Sequence, residues 1–282
     1  MEKGRVTGTG RLNVADGEIS MLEQFDLIRQ DLAGKVVLVT GGGSGIGAAF
    51  SEAFGRYGAK VAVHAHKTGQ RQLSALIDRI KAAGGAACLF KGDLSTGSAC
   101  QDLIAEVTGH FGRLDVLINN AGSMVARHPL ENVDDEFLDQ VFNLNARSVV
   151  ATSRAALPIF TRQGGGCIIN VSSISARTGG SPGSSVYSAA KAFVSTLTRS
   201  LARELAPRHI RVNAIAPGTI DTAFHERFSS REKLEKTRDA IPLHRLGSAE
   251  DCVGTALYLA AESLSGYVTG QVIEVNGGQL MA

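Results

Sequence analysis

A tyrosine and a lysine stand four positions apart in the segment YSAAK, as Tyr187 and Lys191. On a helix, side chains at i and i+4 lie on one face, about 5–6 Å apart at Cβ. A free phenol has a pKa near 10 and is a poor base at neutral pH, but a neighbouring ammonium favours the phenolate. We therefore expect a lowered pKa for Tyr187, so that it can exchange a proton with an alcohol or a carbonyl compound. Because this spacing is common by chance, a structural surface pair is the alternative.

A glycine-rich turn, TGGGSGIG at residues 40–47, follows the apolar run VVLV and opens a helical stretch. Its glycines let the backbone turn tightly and come close to a ligand. The helix that follows presents free N–H groups and the positive end of its dipole to an anion. Strand, glycine turn and helix in this order predict a cradle for a dinucleotide pyrophosphate rather than a simple turn.

Short apolar runs alternate with amphipathic stretches along the rest of the chain. The predicted strands are 36–39, 60–64, 87–90, 114–118, 167–171, 210–215 and 272–275. The predicted helical stretches are 46–57, 69–83, 97–111, 134–162, 186–206 and 249–261. This alternation predicts a parallel sheet that is buried on both faces. The right-handed crossover rule then favours an α/β, doubly wound Rossmann-type fold with a seven-stranded parallel sheet and helices on both faces.

Two segments depart from this rhythm. Residues 1–33 show no clean alternation, and we interpret them as an N-terminal extension that is partly disordered or packed on the surface. Residues 34–282 form a single dinucleotide-binding catalytic domain in this interpretation. The polar, charged stretch 219–245 follows a strand and is a candidate substrate lid, with solvated surface helices as the alternative.

Composition excludes several other classes of protein. The 282 residues carry a net charge of only +2, which gives no reason to expect nucleic acid or an anionic membrane as partner. Four cysteines and seven histidines show no metal-ligand spacing, so no metal site is predicted. No apolar run reaches the length of a membrane span, and the first residues lack a signal-peptide core. We therefore expect a cytoplasmic protein.

Further motifs fall in a fixed order along the chain. Gly41 and Gly45 are separated by three residues, unlike the GxGxxG of two-domain dehydrogenases. Asp93 follows in GDL, then NNAG at 119–122, the YSAAK segment, and APG at 216–218. Over roughly residues 31–282 this pattern resembles the short-chain dehydrogenase/reductase family. The resemblance implies an NAD(P)-dependent oxidoreductase that interconverts a secondary alcohol and a carbonyl by hydride transfer, with Tyr187 as general acid/base.

The resemblance also implies that Asn145 and Ser173 are catalytic together with Tyr187 and Lys191. Ser173 lies 14 residues before Tyr187 and would hold the substrate oxygen; the family separation is sometimes one residue less, so Ser172 is the alternative. Asn145 would sit in the middle of a long helix and free a carbonyl that holds a water beside the lysine. Asn143 is two residues away and would point elsewhere on the helix.

For the cofactor, the resemblance implies contacts from the glycine turn, from the ends of the second, third and fourth strands and from the segment after APG. Asp93 would contact the adenine, and the Ile220 backbone and Thr222 hydroxyl would hold the nicotinamide carboxamide. The predicted cofactor-binding residues are Gly41, Gly43, Ser44, Gly45, Ile46, Gly47, His66, Lys67, Asp93, Leu94, Asn120, Ala121, Gly122, Tyr187, Lys191, Pro217, Gly218, Ile220 and Thr222.

The end of the second strand bears on the choice between the two cofactors. NAD-dependent members of the family carry an acidic residue there, where this chain has Ala65 followed by His66 and Lys67. The pattern favours NADP(H), with NAD(H) as the alternative. Ser44 argues the other way, because many NADP-dependent members carry a basic residue at that place in the glycine turn.

Two other functions compete with the enzyme. One is a non-catalytic sensor or scaffold that binds a nicotinamide dinucleotide, against which the complete set of four catalytic residues argues. The other, a sugar-nucleotide epimerase of related fold, is disfavoured by the glycine spacing. The substrate would be a small carbonyl or alcohol compound in a pocket formed by 124–128, 175–185 and the lid. Family members pair through the helices near 146–162 and 186–206, which predicts a homotetramer.

Overall fold

A seven-stranded parallel sheet forms the centre of the computed structural model. The structure describes residues 21–281, except for the side chains of residues 21–26, 225 and 226. The strands are β1 Val36–Val39, β2 Lys60–Ala65, β3 Ala86–Lys91, β4 Val116–Asn119, β5 Gly166–Val171, β6 Ile210–Pro217 and β7 Val272–Val275. Their order in the sheet is β3-β2-β1-β4-β5-β6-β7, and every neighbouring pair is parallel. The predicted doubly wound fold is confirmed.

Helices connect the strands and cover both faces of the sheet. They are α1 Met21–Leu32, α2 Gly45–Arg56, α3 Gln70–Ala82, α4 Gly97–Phe111, α5 Asp135–Phe142, α6 Ser148–Gln163, α7 Ser175–Thr178, α8 Ser185–Leu205, α9 Ala223–Phe228, α10 Arg231–Ala240, α11 Val253–Ala260 and α12 Glu262–Ser265. The long helical stretch predicted over 134–162 is divided into α5 and α6 by a π-helical turn, Asn143–Arg147. Within residues 21–281, no helix has the length and apolar character needed to cross a bilayer.

Successive residues of β1 point into two separate cores, as the pleat of a strand requires. Val37 and Val39 belong to the core beneath α2, α3 and α11, together with Phe54. Leu38 belongs to the core beneath α4, α6 and α8, together with Ile104. Because both faces are covered, the strands can be apolar throughout, which is why they read as continuous hydrophobic runs.

The predicted N-terminal extension includes one described helix, α1, while residues 1–20 lie outside the described part of the chain. Leu32 at the end of α1 is only 1% exposed and packs in the core with Phe54. The Asp31 carboxylate accepts a hydrogen bond of 2.8 Å from the Ser263 amide at the start of α12. The end of the extension is therefore packed onto the rest of the described chain by both apolar and polar contacts.

The strand order reverses between β1 and β4, because the chain continues outward on one side through β2 and β3 and on the other through β5 to β7. In open parallel sheets a crevice opens at the carboxyl ends of the strands at such a point, and ligands bind there. The glycine turn follows β1 and the NNAG segment follows β4. The fold therefore brings both motifs to this crevice.

Candidate active site

The glycine turn has a backbone that larger residues could not adopt or fit. Gly41 and Gly45 have positive φ of 62° and 51°. At Gly47, an added Cβ would come within 2.2 Å of the Gly41 carbonyl oxygen. Ser44 is the N-cap of α2 but makes no side-chain cap hydrogen bond, so the first N–H groups of the helix face the crevice. A close backbone approach and a free helix N-terminus fit a dinucleotide pyrophosphate.

The NNAG segment fixes the glycine turn from the neighbouring strand. The Asn120 amide nitrogen donates to the Thr40 and Gly41 carbonyl oxygens at 3.0 and 3.2 Å. In return, the Thr40 hydroxyl oxygen accepts from the Asn120 and Ala121 backbone N–H groups at 2.9 and 3.0 Å. These bonds cross the switch point, so the two walls of the crevice are held in a fixed relation.

Tyr187 and Lys191 both lie on α8, as the YSAAK spacing predicts. The Lys191 side chain is buried, and its ammonium donates to the Val171 carbonyl oxygen at 2.8 Å, at the end of β5. Its Nζ lies 5.8 Å from the centre of the Tyr187 ring. Burial lowers the pKa of Lys191 from its ordinary value to about 8. The ammonium of Lys191 therefore lies close to the Tyr187 ring, and both residues line the same cavity.

The pKa of Tyr187 moves in the direction opposite to the one we expected. Burial raises it to about 12, although a hydrogen bond with Ser173 acts to lower it. The neighbouring ammonium favours the phenolate, but the low-dielectric surroundings of the buried phenol disfavour it more strongly. The protein's own groups thus keep Tyr187 protonated at neutral pH, as a proton donor.

The two serines after β5 have separate surroundings. The Ser172 hydroxyl is buried, donates to the Lys191 carbonyl oxygen at 3.0 Å and lies 2.7 Å from the Ser195 hydroxyl. The Ser173 hydroxyl lies near Tyr187 and accepts from the Ser175 hydroxyl at 2.9 Å. The structure therefore places Ser173 at the phenol and Ser172 in the packing beneath α8.

Asn145 lies inside the π-helical turn and is fully buried. Its side-chain nitrogen donates to the Ser123 and Val141 carbonyl oxygens at 2.7 and 2.8 Å, and its Oδ1 accepts from the Ser123 amide at 3.1 Å. Such turns interrupt the regular ladder of an α-helix and are frequent at functional sites. An added Cβ at Gly122 would come within 2.7 Å of Asn145 Oδ1 and 3.0 Å of Lys191 Nζ. Asn145 and Lys191 thus both pack closely against Gly122.

A single cavity of about 490 Å³ joins these groups. Most of the predicted site residues line it, and these are Gly41, Ser44, Gly45, Ile46, Gly47, Asn120, Ala121, Gly122, Ser173, Tyr187, Lys191, Pro217, Gly218, Ile220 and Thr222. Asn145 lies behind this surface.

Comparison with known proteins agrees with this geometry. A family model described as enoyl-(acyl carrier protein) reductase matches residues 41–279. A 3-oxoacyl-(acyl-carrier-protein) reductase, FabG, of Thermotoga maritima is 37% identical over 248 residues, which are 88% of this chain and 98% of the relative. The chain belongs to the short-chain dehydrogenase/reductase family. It is an NAD(P)-dependent oxidoreductase of that family.

Two further relatives show the same breadth of match. The short chain dehydrogenase/reductase nsrJ of Aspergillus novofumigatus is 35% identical, over 88% of this chain and 96% of its own. The solved structure of the NADH-dependent reductase A1-R' complexed with NAD superposes with a TM-score of 0.80 at 35% identity, over 90% of this chain and 100% of the other.

Five predicted cofactor residues of this dehydrogenase/reductase lie outside the cavity, near the ends of β2 and β3 or under the glycine turn. They are Gly43, His66, Lys67, Asp93 and Leu94. His66 and Lys67 are exposed, and His66 Nε2 lies 3.9 Å from Asp93 Oδ2. The Leu94 side chain is buried in the core with Ile104. Any cofactor contact from Leu94 would therefore come from its backbone.

His64 is a structural residue of the site that the sequence analysis passed over. It is 2% exposed, and its Nδ1 accepts from the Gly41 amide at 3.2 Å while Nε2 lies 3.1 Å from the Gly92 carbonyl oxygen. Nδ1 as acceptor and Nε2 as donor make this a neutral imidazole, and burial is the main cause of its lowered pKa. His64 thus links β2 to the glycine turn and to the segment after β3. The sequence offered one signal for this role, since His64 and His66 occupy alternate positions around the end of β2.

Arg127 and Phe224 line the cavity and lie in segments predicted to form the substrate pocket, although neither was singled out by itself; Gln279 also lines the cavity and lies outside those segments. Phe224 in α9 brings an aromatic ring to 5.8 Å from that of Tyr187, so the start of the predicted lid reaches the phenol. By contrast, α10 buries none of its residues. Among the described residues, the only charged ones lining the cavity are Arg127 and Lys191. They make the walls of this cavity positive.

Proposed function

We propose that this chain interconverts a secondary alcohol and a carbonyl compound, with Tyr187 as the general acid/base and Ser173, Lys191 and Asn145 as its catalytic partners. The observation that carries the proposal is that the Tyr187–Ser173 pair and the buried Lys191 ammonium line the same cavity as the glycine cradle. A non-catalytic binding protein would need the cradle but not these groups, and the relatives reported above are named as reductases or dehydrogenases.

In the direction of reduction, the Ser173 and Tyr187 hydroxyls donate hydrogen bonds to the carbonyl oxygen and hold it in place. The nicotinamide cofactor, when bound, supplies the hydride. Tyr187 gives its proton to the oxygen as negative charge develops there, and its pKa of about 12 keeps it ready in the acid form. The Lys191 ammonium then stabilises the phenolate that remains. Asn145 and Lys191 both approach Gly122 and, in this proposal, the Asn145 side chain frees a backbone carbonyl that holds the water returning the proton.

NADP(H) is the cofactor we propose, with NAD(H) as the alternative. Ala65 at the end of β2 is 2% exposed, and its Cβ would lie 3.1 Å from a Cβ at Gly43, so no carboxylate stands beside the turn to repel a 2′-phosphate. Lys67 is exposed just beyond it and can approach such a phosphate. The NADH-dependent reductase with bound NAD and the uncharged Ser44 favour the alternative.

We also propose a substrate lid, a homotetramer and a cytoplasmic location. The 219–245 segment is proposed as a substrate lid on the catalytic domain 34–282, and the contact between Phe224 and Tyr187 supports this. A homotetramer is supported by apolar side chains on the outer faces of α6 and α8, where Val150 and Phe193 are 36% and 41% exposed. The cytoplasm remains the expected location.

The proposed role of Tyr187 is tested by Tyr187→Phe, which keeps the ring and removes the transferable proton. Turnover of any carbonyl or alcohol accepted by the parent should fall by at least about 100-fold, because positioned acid/base groups contribute factors of this size. Binding of the nicotinamide cofactor, followed by calorimetry, should stay close to the parent value. Tyr258→Phe in α11, where the side chain is 37% exposed, is the matched control and should leave turnover unchanged. A Tyr187→Phe enzyme as active as the control would remove Tyr187 from the mechanism.

A further inference from the structure

Arg127 is a cation at the cavity wall, and no side chain that the structure describes is an acidic partner for it. It follows β4 in the loop that precedes α5, and it lines the cavity together with Met124 and Phe224. Among the residues the structure describes, no carboxylate forms an ion pair with it. No Asp or Glu of the described chain lines the cavity either. A half-buried guanidinium in such surroundings keeps an unsatisfied demand for an anion.

The hydrogen bonds of Arg127 to described residues occupy only two of its nitrogens. Arg127 Nε donates to the Phe228 carbonyl oxygen at 2.6 Å, and Nη1 donates to the Pro182 carbonyl oxygen at 3.2 Å. A guanidinium has five N–H donors in one plane, so Nη2 and one hydrogen of Nη1 remain. This planar pair of donors matches the two oxygens of a carboxylate or of a phosphate.

The loop that carries Arg127 is held in a strained conformation. Val125 has a φ of 64°, which is an outlier for a β-branched residue. Its amide donates to the Ser123 hydroxyl at 3.0 Å, and the Ser123 backbone is in turn held by the buried Asn145 side chain. Strain of this kind persists only where the surroundings fix it, and it clusters at ligand sites. The loop is therefore fixed by the same asparagine that stands behind the reacting groups.

A second cation lies close to the first. Lys233 projects from α10, and both burial and the charge of Arg127 lower its pKa. Burial lowers the pKa of Arg127 itself. The two like charges destabilise each other, and an anion placed at Arg127 would reduce this repulsion.

We propose that the substrate carries an anionic oxygen group, a carboxylate or a phosphate monoester, which pairs with the free edge of the Arg127 guanidinium while its carbonyl group lies at Tyr187. This inference rests on the proposed oxidoreductase function, of which it names the substrate class. Because Arg127 also holds α9 through the Phe228 carbonyl oxygen, the same side chain joins the bound anion to the lid.

Binding to protein loaded with oxidised cofactor tests the proposal without turnover, because a ketone cannot be reduced by NADP+ or NAD+. Two matched pairs of probes serve in calorimetry: acetoacetate against methyl acetoacetate, and dihydroxyacetone phosphate against dihydroxyacetone. The parent should bind the anionic member of at least one pair about 10- to 100-fold more tightly than the neutral member, as expected for hydrogen bonds to charged groups. The pair that shows the preference distinguishes carboxylate from phosphate.

Arg127→Gln should abolish this preference, and Arg127→Lys should restore part of it. The control is Arg231→Gln, which removes an exposed cation from the start of α10 and should change the preference by less than about twofold, because exposed charges are screened. Equal binding within both pairs, no binding of either anion, or an equal loss in both Gln variants would overturn the proposal. Tyr187→Phe should keep the preference. If the protein reduces no carbonyl compound but still prefers the anionic probes, the proposed reaction is wrong and the anion site stands. If it reduces neutral ketones and shows no preference for the anionic probes, the proposed reaction stands and the anion site is wrong.

Discussion

Replacing Gly122 by alanine would test whether the close packing of Asn145 and Lys191 around Gly122 positions the reacting groups. The added methyl would lie 2.7 Å from Asn145 Oδ1 and 3.0 Å from Lys191 Nζ, whereas ordinary contacts begin near 3.4 Å. Neither neighbour can withdraw freely, since Asn145 makes three hydrogen bonds and Lys191 is bound to the Val171 carbonyl oxygen. Overpacking of this kind costs about 1–3 kcal/mol of stability. The backbone itself is no obstacle, because Gly122 is not among the residues with positive φ.

The catalytic effect of Gly122→Ala should exceed its effect on folding. Displacing catalytic groups by even about 1 Å can reduce rates by roughly 100-fold, so we expect kcat/KM to fall by about that factor. The assay is kcat/KM on any accepted substrate, together with the urea midpoint of unfolding. Gly109→Ala in α4 is the control, because no atom lies within 4 Å of its added methyl. That variant should keep full activity and gain about 0.5–1 kcal/mol of stability. If Gly122→Ala has the parent's kcat/KM within about twofold, Lys191 and Asn145 need not be held as described.

Two other substitutions make measurable predictions. Ala65→Asp should reverse the proposed preference for NADP(H), because a carboxylate beside the turn repels the 2′-phosphate and accepts hydrogen bonds from the ribose hydroxyls. In the parent, a Lys67–phosphate contact of about 1–2 kcal/mol corresponds to a roughly 5- to 30-fold higher affinity for NADP(H). The measurement is kcat/KM with each cofactor, and a parent that prefers NAD by about tenfold or more would show that Ser44 was the better guide. His64 has a lowered pKa in the folded chain, so as the pH falls below about 6.5 the unfolded chain takes up the proton first and stability declines until the folded pKa is passed. His64→Asn should flatten this decline in urea midpoints measured between about pH 7 and pH 5, and a parallel decline in both proteins would contradict the reasoning.

The fold and the positions of the main groups were readable from the sequence because both depend on local patterns. Continuous apolar runs identify buried parallel strands, and the glycine turn between a strand and a helix identifies the cradle. The i, i+4 spacing places Tyr187 and Lys191 on one face of α8, which needs no tertiary information. The roles of Ser173 and Ser172, by contrast, can be distinguished only in the folded structure, where α8 packs on β5 and the Ser172 hydroxyl forms a hydrogen bond with the Ser195 hydroxyl.

Properties that arise from distant packing could not be read in the same way. The direction in which the Tyr187 pKa shifts depends on how deeply the phenol is buried, whereas the sequence shows only the adjacent lysine. Arg127 is positioned at the cavity by hydrogen bonds to the carbonyl oxygens of Pro182 and Phe228, which are 55 and 101 positions away in the chain.

The burial of Lys191 explains why these groups are costly to the fold yet suited to the proposed chemistry. A pKa lowered from 10.5 to about 8 corresponds to about 3 kcal/mol of cost for the charged form. A carboxylate partner would offset that cost, but it would also neutralise the field that must stabilise the Tyr187 phenolate after proton transfer. The Val171 carbonyl oxygen instead satisfies one donor of the ammonium without cancelling its charge. Lys191 therefore has a neutral hydrogen-bond partner, and no carboxylate of the described residues lines the cavity. This arrangement lowers the stability of the fold but keeps the positive field that the proposed reaction needs.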